Sequence, residues 1–274
     1  MTAARRFWHR DRPAGAAISV PERLVSVGFA LAGLGFLGAL VARHWSAATA
    51  ALADAELAWL LLAVPSAATG IVVVALGWSR IAGAPLVGAF FAGEIGKYVP
   101  GGIWPVVGRA EHAVRRGVER KAAYRSVLIS LIAVYAAAAA VALALVHPLL
   151  TAVAALVLLH PRARVAAQYL PAWALIGTAT WAVARAVDPT AEPVRVVAAT
   201  AASWLAGFVA GPVPAGVGVR EAAFVALAGL PAGAGAAAAL LARLVFVAVD
   251  AVGAVLATSR AVGSRGRSTA PSQP

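Results

Sequence analysis

The sequence predicts an all-α polytopic membrane helix bundle, with about six full spans and two opposed re-entrant helical hairpins in an inverted-topology repeat. Composition is the first reason. The 274-residue chain is 62% hydrophobic and 12% charged, with mean hydropathy +0.85, whereas soluble domains carry roughly 25% charged residues. The second is length, because several apolar windows approach or exceed the ~20 residues that cross a ~30 Å hydrocarbon layer. The third is a pair of apolar segments, 84–117 and 194–229, each interrupted midway by Pro and Gly.

The elements follow in order. A basic cytoplasmic tail, 1–20, precedes a single transmembrane domain over 21–260, and a cytoplasmic tail expected to be disordered covers 261–274. Apolar windows place spans near 22–42, 57–79, 122–146, 148–160, 168–187 and 231–258. The run from Leu24 to Val41 is long for the apolar core of a signal peptide, so an uncleaved first span is expected despite the small-residue stretch AALADAE. Pro148 and Pro161 bracket the short fourth window, as prolines at helix ends do. Trp8, Trp45, Trp59 and Trp78 fit an interfacial belt.

Charge placement sets orientation. The net charge is +12, yet its cations sit in tails and short loops, which is a topological signal and not a nucleic-acid footprint. Arg5, Arg6, Arg10 and Arg12 open the chain, Arg115, Arg116, Arg120, Lys121 and Arg125 cluster mid-chain, Arg162 and Arg164 share a loop, and Arg260, Arg265 and Arg267 fall near its end. All are expected on the cytoplasmic face of the cell membrane with both termini, where they also suit anionic headgroups. His44, Asp54, Glu56, His147, Asp188 and Glu192 are expected outside. This parity holds only if segment 84–117 enters and leaves from inside and segment 194–229 from outside.

The two interrupted segments also align. FFAGEIGKYVPGGIW (90–104) lies without gaps on WLAGFVAGPVPAGVG (204–218), sharing Ala92-Gly93 with Ala206-Gly207 and Val99–Ile103 with Val213–Val217. An arginine and a glutamate follow each break: Arg109 and Glu111, then Arg220 and Glu221. Repeat A is expected over about 57–146 and repeat B over about 168–258, the plan of many secondary transporters. Chance similarity in an Ala/Gly/Val-rich chain is the competing account.

Broken backbone inside hydrocarbon survives only where protein or a watery cavity covers it. Pro100-Gly101-Gly102 and Pro212-Val213-Pro214-Ala215-Gly216 would leave half-helix N-termini able to receive an anion. The bland alternative is that these residues only ease helix packing. A charge at a helix centre costs roughly 2.5–3.5 kcal/mol on insertion scales, so such residues face an interior. Glu94 and Lys97, three apart, can pair on one helix face; Arg243 and Asp250, seven apart, share a face of the last span. For Arg109, Glu111 and Arg115, snorkelling is the plainer explanation. The candidate binding residues are Lys97, Pro100, Gly101, Gly102, Trp104, Arg109, Pro214, Gly216, Gly218, Arg220, Glu221 and Arg243, with Lys97, Arg220 and Arg243 the cations best placed for phosphate oxygens. Glu94, Glu111, Glu221 and Asp250 are candidate proton carriers.

No catalytic constellation emerges. There is no cysteine, the five histidines show no metal-ligand spacing, and Glu111-His112 is a lone interfacial pair. GVGVRE contains GxG without the strand–turn–helix setting of a dinucleotide site. No cofactor or metal is called for.

Lys97, Pro100-Gly101-Gly102, Trp104 and Gly108-Arg109, followed by Pro214-x-Gly216-x-Gly218-x-Arg220-Glu221 and Arg243, resemble the flippase-like membrane domain of lysylphosphatidylglycerol synthases over roughly residues 20–260. The resemblance implies a domain that moves an anionic or aminoacylated lipid, or a polyprenyl-phosphate carrier, between leaflets. The synthases carry a soluble aminoacyltransferase domain after this region and the given chain stops at Pro274, so lysyltransferase activity is not expected. Ala215 stands where the second motif commonly has Gly, and little change is expected from it. The alternatives are a membrane-embedded transferase on lipid-linked substrates and a non-transporting partner of a glycosyltransferase or lipid synthase. Homodimerisation stays open.

Overall fold

A computed structural model describes residues 49, 53, 55–98, 102–161, 163–210 and 214–267. The expected first span, the N-terminal tail, Trp8, Trp45, Pro100-Gly101, Arg162, Gly211–Val213 and residues 268–274 lie outside the described residues, while residues 261–267 of the expected C-terminal tail are helical. Helices account for nearly all of the rest, with no strand among them. In chain order they are α1 (Leu57–Ala82), α2 (Val87–Glu94), α3 (Trp104–Val114), α4 (Arg120–Ala142), α5 (Pro148–Leu159), α6 (Leu170–Val187), α7 (Pro193–Val209), α8 (Val219–Leu227) and α9 (Ala232–Arg267). Single 3₁₀ turns at Ile95–Tyr98 and Pro214–Gly216 follow the helices that lead into the two breaks.

Polar residues and prolines mark the helix starts. Glu119 caps α4 by accepting from the Lys121 and Ala122 amides, and Glu192 caps α7 through Val194 and Arg195. His147 accepts from the Leu149 amide at the head of α5. Capping acceptors of this kind satisfy amides that have no partner within the helix.

Four helical stretches are long and apolar enough to cross a membrane: Leu57–Ala82, Arg120–Leu145, Arg164–Val187 and Ala232–Ala257. They match four of the expected spans. Leu61, Leu128, Ile132, Leu244 and Val255 are exposed on their outer faces, an apolar surface far more extensive than a soluble monomer tolerates. The span expected at 148–160 is a 12-residue helix, about 18 Å long, too short to cross alone.

Helix directions follow from side-chain pairs. α1 and α6 run antiparallel, since Trp59 meets Trp181 at one end and Gly77 meets Tyr169 at the other. α4 and α6 run parallel, with Ser130 bonded to Tyr169 and the Val134 carbonyl to Trp173, 2.8 Å in each case. The chain therefore changes ends between Leu145 and Leu170, by way of α5 and the short helical turn Arg164–Ala167. Trp78 was expected in an interfacial belt; it is fully buried instead, its indole donating to Ser126 at 3.0 Å. Its hydrophobic body is worth more inside the α1–α4 contact than at an interface.

Each interrupted segment returns to the end from which it started. Arg116 donates to the Pro85 carbonyl at 3.3 Å, closing the base of the α2–α3 hairpin. Arg195 donates to the Leu227 carbonyl at 3.0 Å, closing the base of α7–α8. The first base adjoins the C-terminal end of α1. The second adjoins its N-terminal end, where the Glu56 amide donates to the Ala186 carbonyl at 3.0 Å. The hairpins thus enter the bundle from opposite ends, and their two 3₁₀ turns touch in the middle.

Candidate functional site

Close glycine contacts hold both hairpins shut. A Cβ on Gly93 would lie 2.5 Å from the Arg109 backbone nitrogen, and one on Gly216 would lie 2.7 Å from the Gly207 Cα. Gly93 and Gly207 occupy matching positions in the gap-free alignment, and each lies against the returning arm of its own hairpin, Gly93 against Gly108-Arg109 and Gly207 against Gly216. Gly102 and Gly216 also match, and both are left-handed, with φ of 67° and 64°. Ala215 shares that region at φ 50°, alone among the described non-glycine residues. The expectation that Ala215 changes little therefore needs correction: its Cβ is held where L-residues are strained.

Between the hairpin tips lies a cavity of about 420 Å³, lined from α2–α3 by Lys97, Tyr98, Gly102, Ile103 and Arg109 and from α7–α8 by Trp204, Phe208, Gly216 and Arg220. α9 adds Arg243, Phe246 and Asp250, and α4 adds Tyr135. The volume falls within the roughly 300–1,000 Å³ of small-ligand sites. Ile103 and Phe208, on its lining, are large apolar groups exposed on the bundle surface.

Ion pairs organise the polar wall. Arg109 donates through Nε to Glu94 at 3.0 Å and pairs with it again through Nη2. Lys97 reaches Glu94 at 3.3 Å and Asp250 at 2.7 Å. The Tyr98 hydroxyl donates to the same Asp250 oxygen, also at 2.7 Å. Arg243 pairs with Glu221, whose other oxygen accepts the Gly218 amide at 2.6 Å. Arg220 differs. Its guanidinium lies 3.7 Å from the Trp204 ring centroid and 5.5 Å from that of Phe246, and no described carboxylate pairs with it.

Among the described residues, four cations, Lys97, Arg109, Arg220 and Arg243, thus face three carboxylates, Glu94, Glu221 and Asp250, and one positive charge is left over. The undescribed residues in the breaks, Val99–Gly101 and Gly211–Val213, carry no charge that could alter this count. The excess has a local origin in the two aligned segments. Phe90 and Trp204 are aligned, and each carries an arginine on its face, Arg109 at 4.2 Å and Arg220 at 3.7 Å. Position 94 is Glu, which neutralises Arg109; the matching position 208 is Phe, and Arg220 stays uncompensated.

Several expected roles change. Arg109 does not snorkel: it is 6% exposed, and its pairing with Glu94 allows the burial. Arg243 and Asp250 share a face of α9 but not a partner: Arg243 meets Glu221 on the second hairpin and Asp250 meets Lys97 on the first. Lys97 already bridges two carboxylates, so Arg220 is the better anion anchor. The α8 N-terminus is also occupied, since Glu221 folds back onto the Gly218 amide. The α3 N-terminus has no side-chain cap.

Glu111 lies away from the cavity, bonded to Arg120 and to Tyr124 at 2.9 Å. The His112 ring is held at 2.7 Å by the Gly108 carbonyl of its own helix. Trp104 and Gly218 flank the cavity without lining it, Pro100 and Gly101 lie outside the described residues, and Pro214 contributes backbone to the second turn. Sequence reasoning missed Tyr98, Tyr135, Trp204, Phe208 and Phe246. The alignment held a signal for Trp204 in its aromatic match to Phe90; Tyr135 and Phe246 come from long spans with no motif. No protein-family model matches this chain, and no curated protein matches it.

Proposed function

We propose that this chain is a lipid translocase of the cell membrane, which takes an anionic lipid headgroup into the cavity between its hairpin tips and exchanges its access between leaflets. The observation that carries the reading is the cavity itself: one charged wall, singly positive among the described residues, in an otherwise apolar lining, with exposed apolar side chains on its rim. A headgroup suits the interior, and the rim suits acyl or isoprenyl tails left in the bilayer. A free inorganic anion would need no such rim. The resemblance to the flippase-like domain of lysylphosphatidylglycerol synthases points the same way.

In this reading α2–α3 and α7–α8 are re-entrant hairpins of an inverted-topology repeat. The span expected at 22–42, α1, α4, the α5 stretch with its following turn, α6 and α9 make six crossings, with both termini cytoplasmic. No nucleotide-binding motif supplies energy, so movement is downhill or coupled to an ion, with Glu94 and Asp250 the carboxylates placed to take part. The protein acts as a transporter, not an enzyme, and lysyltransferase activity is not part of the proposal. Reconstitution into liposomes with fluorescent lipids tests it. Wild-type protein should accelerate transbilayer exchange of a phosphate-bearing lipid, and Arg220→Gln should reduce the rate about tenfold or more while eluting and melting as a folded protein. A folded wild-type protein that moves no lipid would leave the scaffold for a glycosyltransferase or lipid synthase as the better reading.

A further inference from the structure

A second cavity, remote from the hairpin tips, opens on the bundle surface. It is a groove of about 460 Å³ between α1 and α9. On α1 its wall is Val64, Ala68 and Val72, spaced four apart along one helix face. On α9 it includes Val252 and Leu256, which are exposed, as is Val64. Arg116, at the base of the α2–α3 hairpin, is the one charged residue among the described lining. Its guanidinium donates to the Pro85 carbonyl, and no described carboxylate pairs with it. Both α1 and α9 start from the opposite end, where α7–α8 closes.

Lipid tails are as apolar as these walls, so burial alone does not select an occupant. Helices associate in a bilayer where small residues let them approach closely. The apolar run Leu24–Val41 carries such a face: Gly28, Ala32, Gly35 and Ala39, spaced four, three and four, fall on one side of a helix about 27 Å long. The connection over 42–56 leads from its end into α1 at Leu57. Consecutive elements usually lie side by side, and other sides of α1 are taken by α4 and α6. Charge agrees. Glu22 precedes the run at its expected cytoplasmic end, where the cationic base with Arg116 is also expected. We propose that segment 22–42 of this chain fills the groove, antiparallel to α1 and α9, with its small face on Val64, Val252 and Leu256 and with Glu22 beside Arg116. This packing stands whatever the cavity between the hairpin tips carries.

The sequence contains no cysteine, so paired substitutions in the full chain test the contact. A disulfide forms only where two Cα atoms come within about 7 Å. Leu24→Cys is combined with Leu256→Cys, and Ala39→Cys with Val64→Cys, and native membranes are oxidised with copper phenanthroline. The first-span cysteine is also stepped through 24–27 and 38–41, so that a small shift of register cannot hide a contact. A protease site introduced into the 42–56 connection then leaves only an internally linked chain whole on a non-reducing gel. Most chains of both pairs should stay whole, and the swapped pairs, Leu24→Cys with Val64→Cys and Ala39→Cys with Leu256→Cys, should be cut. Adding Glu22→Arg should reduce linking at the Leu256 end, and Arg116→Glu with it should restore it. Unchanged linking in Glu22→Arg overturns the Glu22–Arg116 contact. Linking of the swapped pairs alone overturns the direction. A covalent dimer would put a second copy in the groove, and no linking at any position would leave it to lipid; either overturns the proposal.

Discussion

Replacing Lys97 with Met would leave Glu94 still paired with Arg109 but the buried Asp250 with only Tyr98. Breaking a buried pair from one side costs about 3–5 kcal/mol, because the remaining charge keeps its desolvation penalty without its partner. Lys97→Met should therefore lower the melting temperature in detergent sharply, and adding Asp250→Asn should recover part of the loss. Arg220→Gln orphans no described carboxylate and removes mainly its cation–π contact with Trp204, about 0.5–2 kcal/mol. Equal melting losses in the two single variants would show that the partners are wrongly assigned. Ala215 offers a smaller test at the same scale. Left-handed backbone costs an L-residue about 1–2 kcal/mol, and the flexibility of glycine returns about 0.5–1 kcal/mol of that. Ala215→Gly should thus raise the melting temperature slightly, and a clear fall would mean that the methyl group packs favourably.

The two hairpins share a frame and differ in one position that governs the site. Glu94 neutralises Arg109 in the first; Phe208 takes that place in the second. Phe208→Glu should copy the first arrangement, pair with Arg220 and abolish anion binding in a folded protein, which titration with phosphatidylglycerol would register as loss of heat. Retained affinity would mean that Arg220 does not hold the phosphate. Gly93→Ala is the structural counterpart, since its methyl would strike the α3 backbone and overpacking costs about 1–3 kcal/mol. The breaks were legible because Pro and Gly interrupt an otherwise continuous apolar pattern, a local signal that needs no tertiary knowledge. Pairing was legible only where it is local: Glu94 and Lys97, three apart, do pair. Arg243 and Asp250 share one face of α9, and only the placement of both hairpins against α9 sends one to Glu221 and the other to Lys97. Arg109, named among the binding candidates with snorkelling as the alternative, lines the cavity; nearness to a cationic cluster says nothing about which way a helix turns its side chain, so its pairing with Glu94 was not legible.

The bundle is electrically lopsided along its length. At the end where the α2–α3 hairpin closes, Arg80, Arg115, Arg116, Arg120, Lys121, Arg125 and Arg164 stand against Glu111 and Glu119. At the end where α7–α8 closes, Arg185 and Arg195 stand against Glu56, Asp188 and Glu192. Positively charged loops are retained in the cytoplasm, so the first end should face inward and the hairpins should enter from opposite leaflets. The sequence contains no cysteine, which makes the orientation measurable with single substitutions at the exposed Val146 and Arg115. In intact cells a membrane-impermeant maleimide should label Val146→Cys, near the mouth of α5, and should label Arg115→Cys only after permeabilisation. Labelling of both from outside would break the opposed-hairpin arrangement, because the two bases would then share a face. The reverse pattern would keep the hairpins opposed but invert the protein. Either result bears on the cavity: its excess positive charge lies where the two tips meet, and a headgroup can pass from one leaflet to the other through that point only if the hairpins open toward different sides.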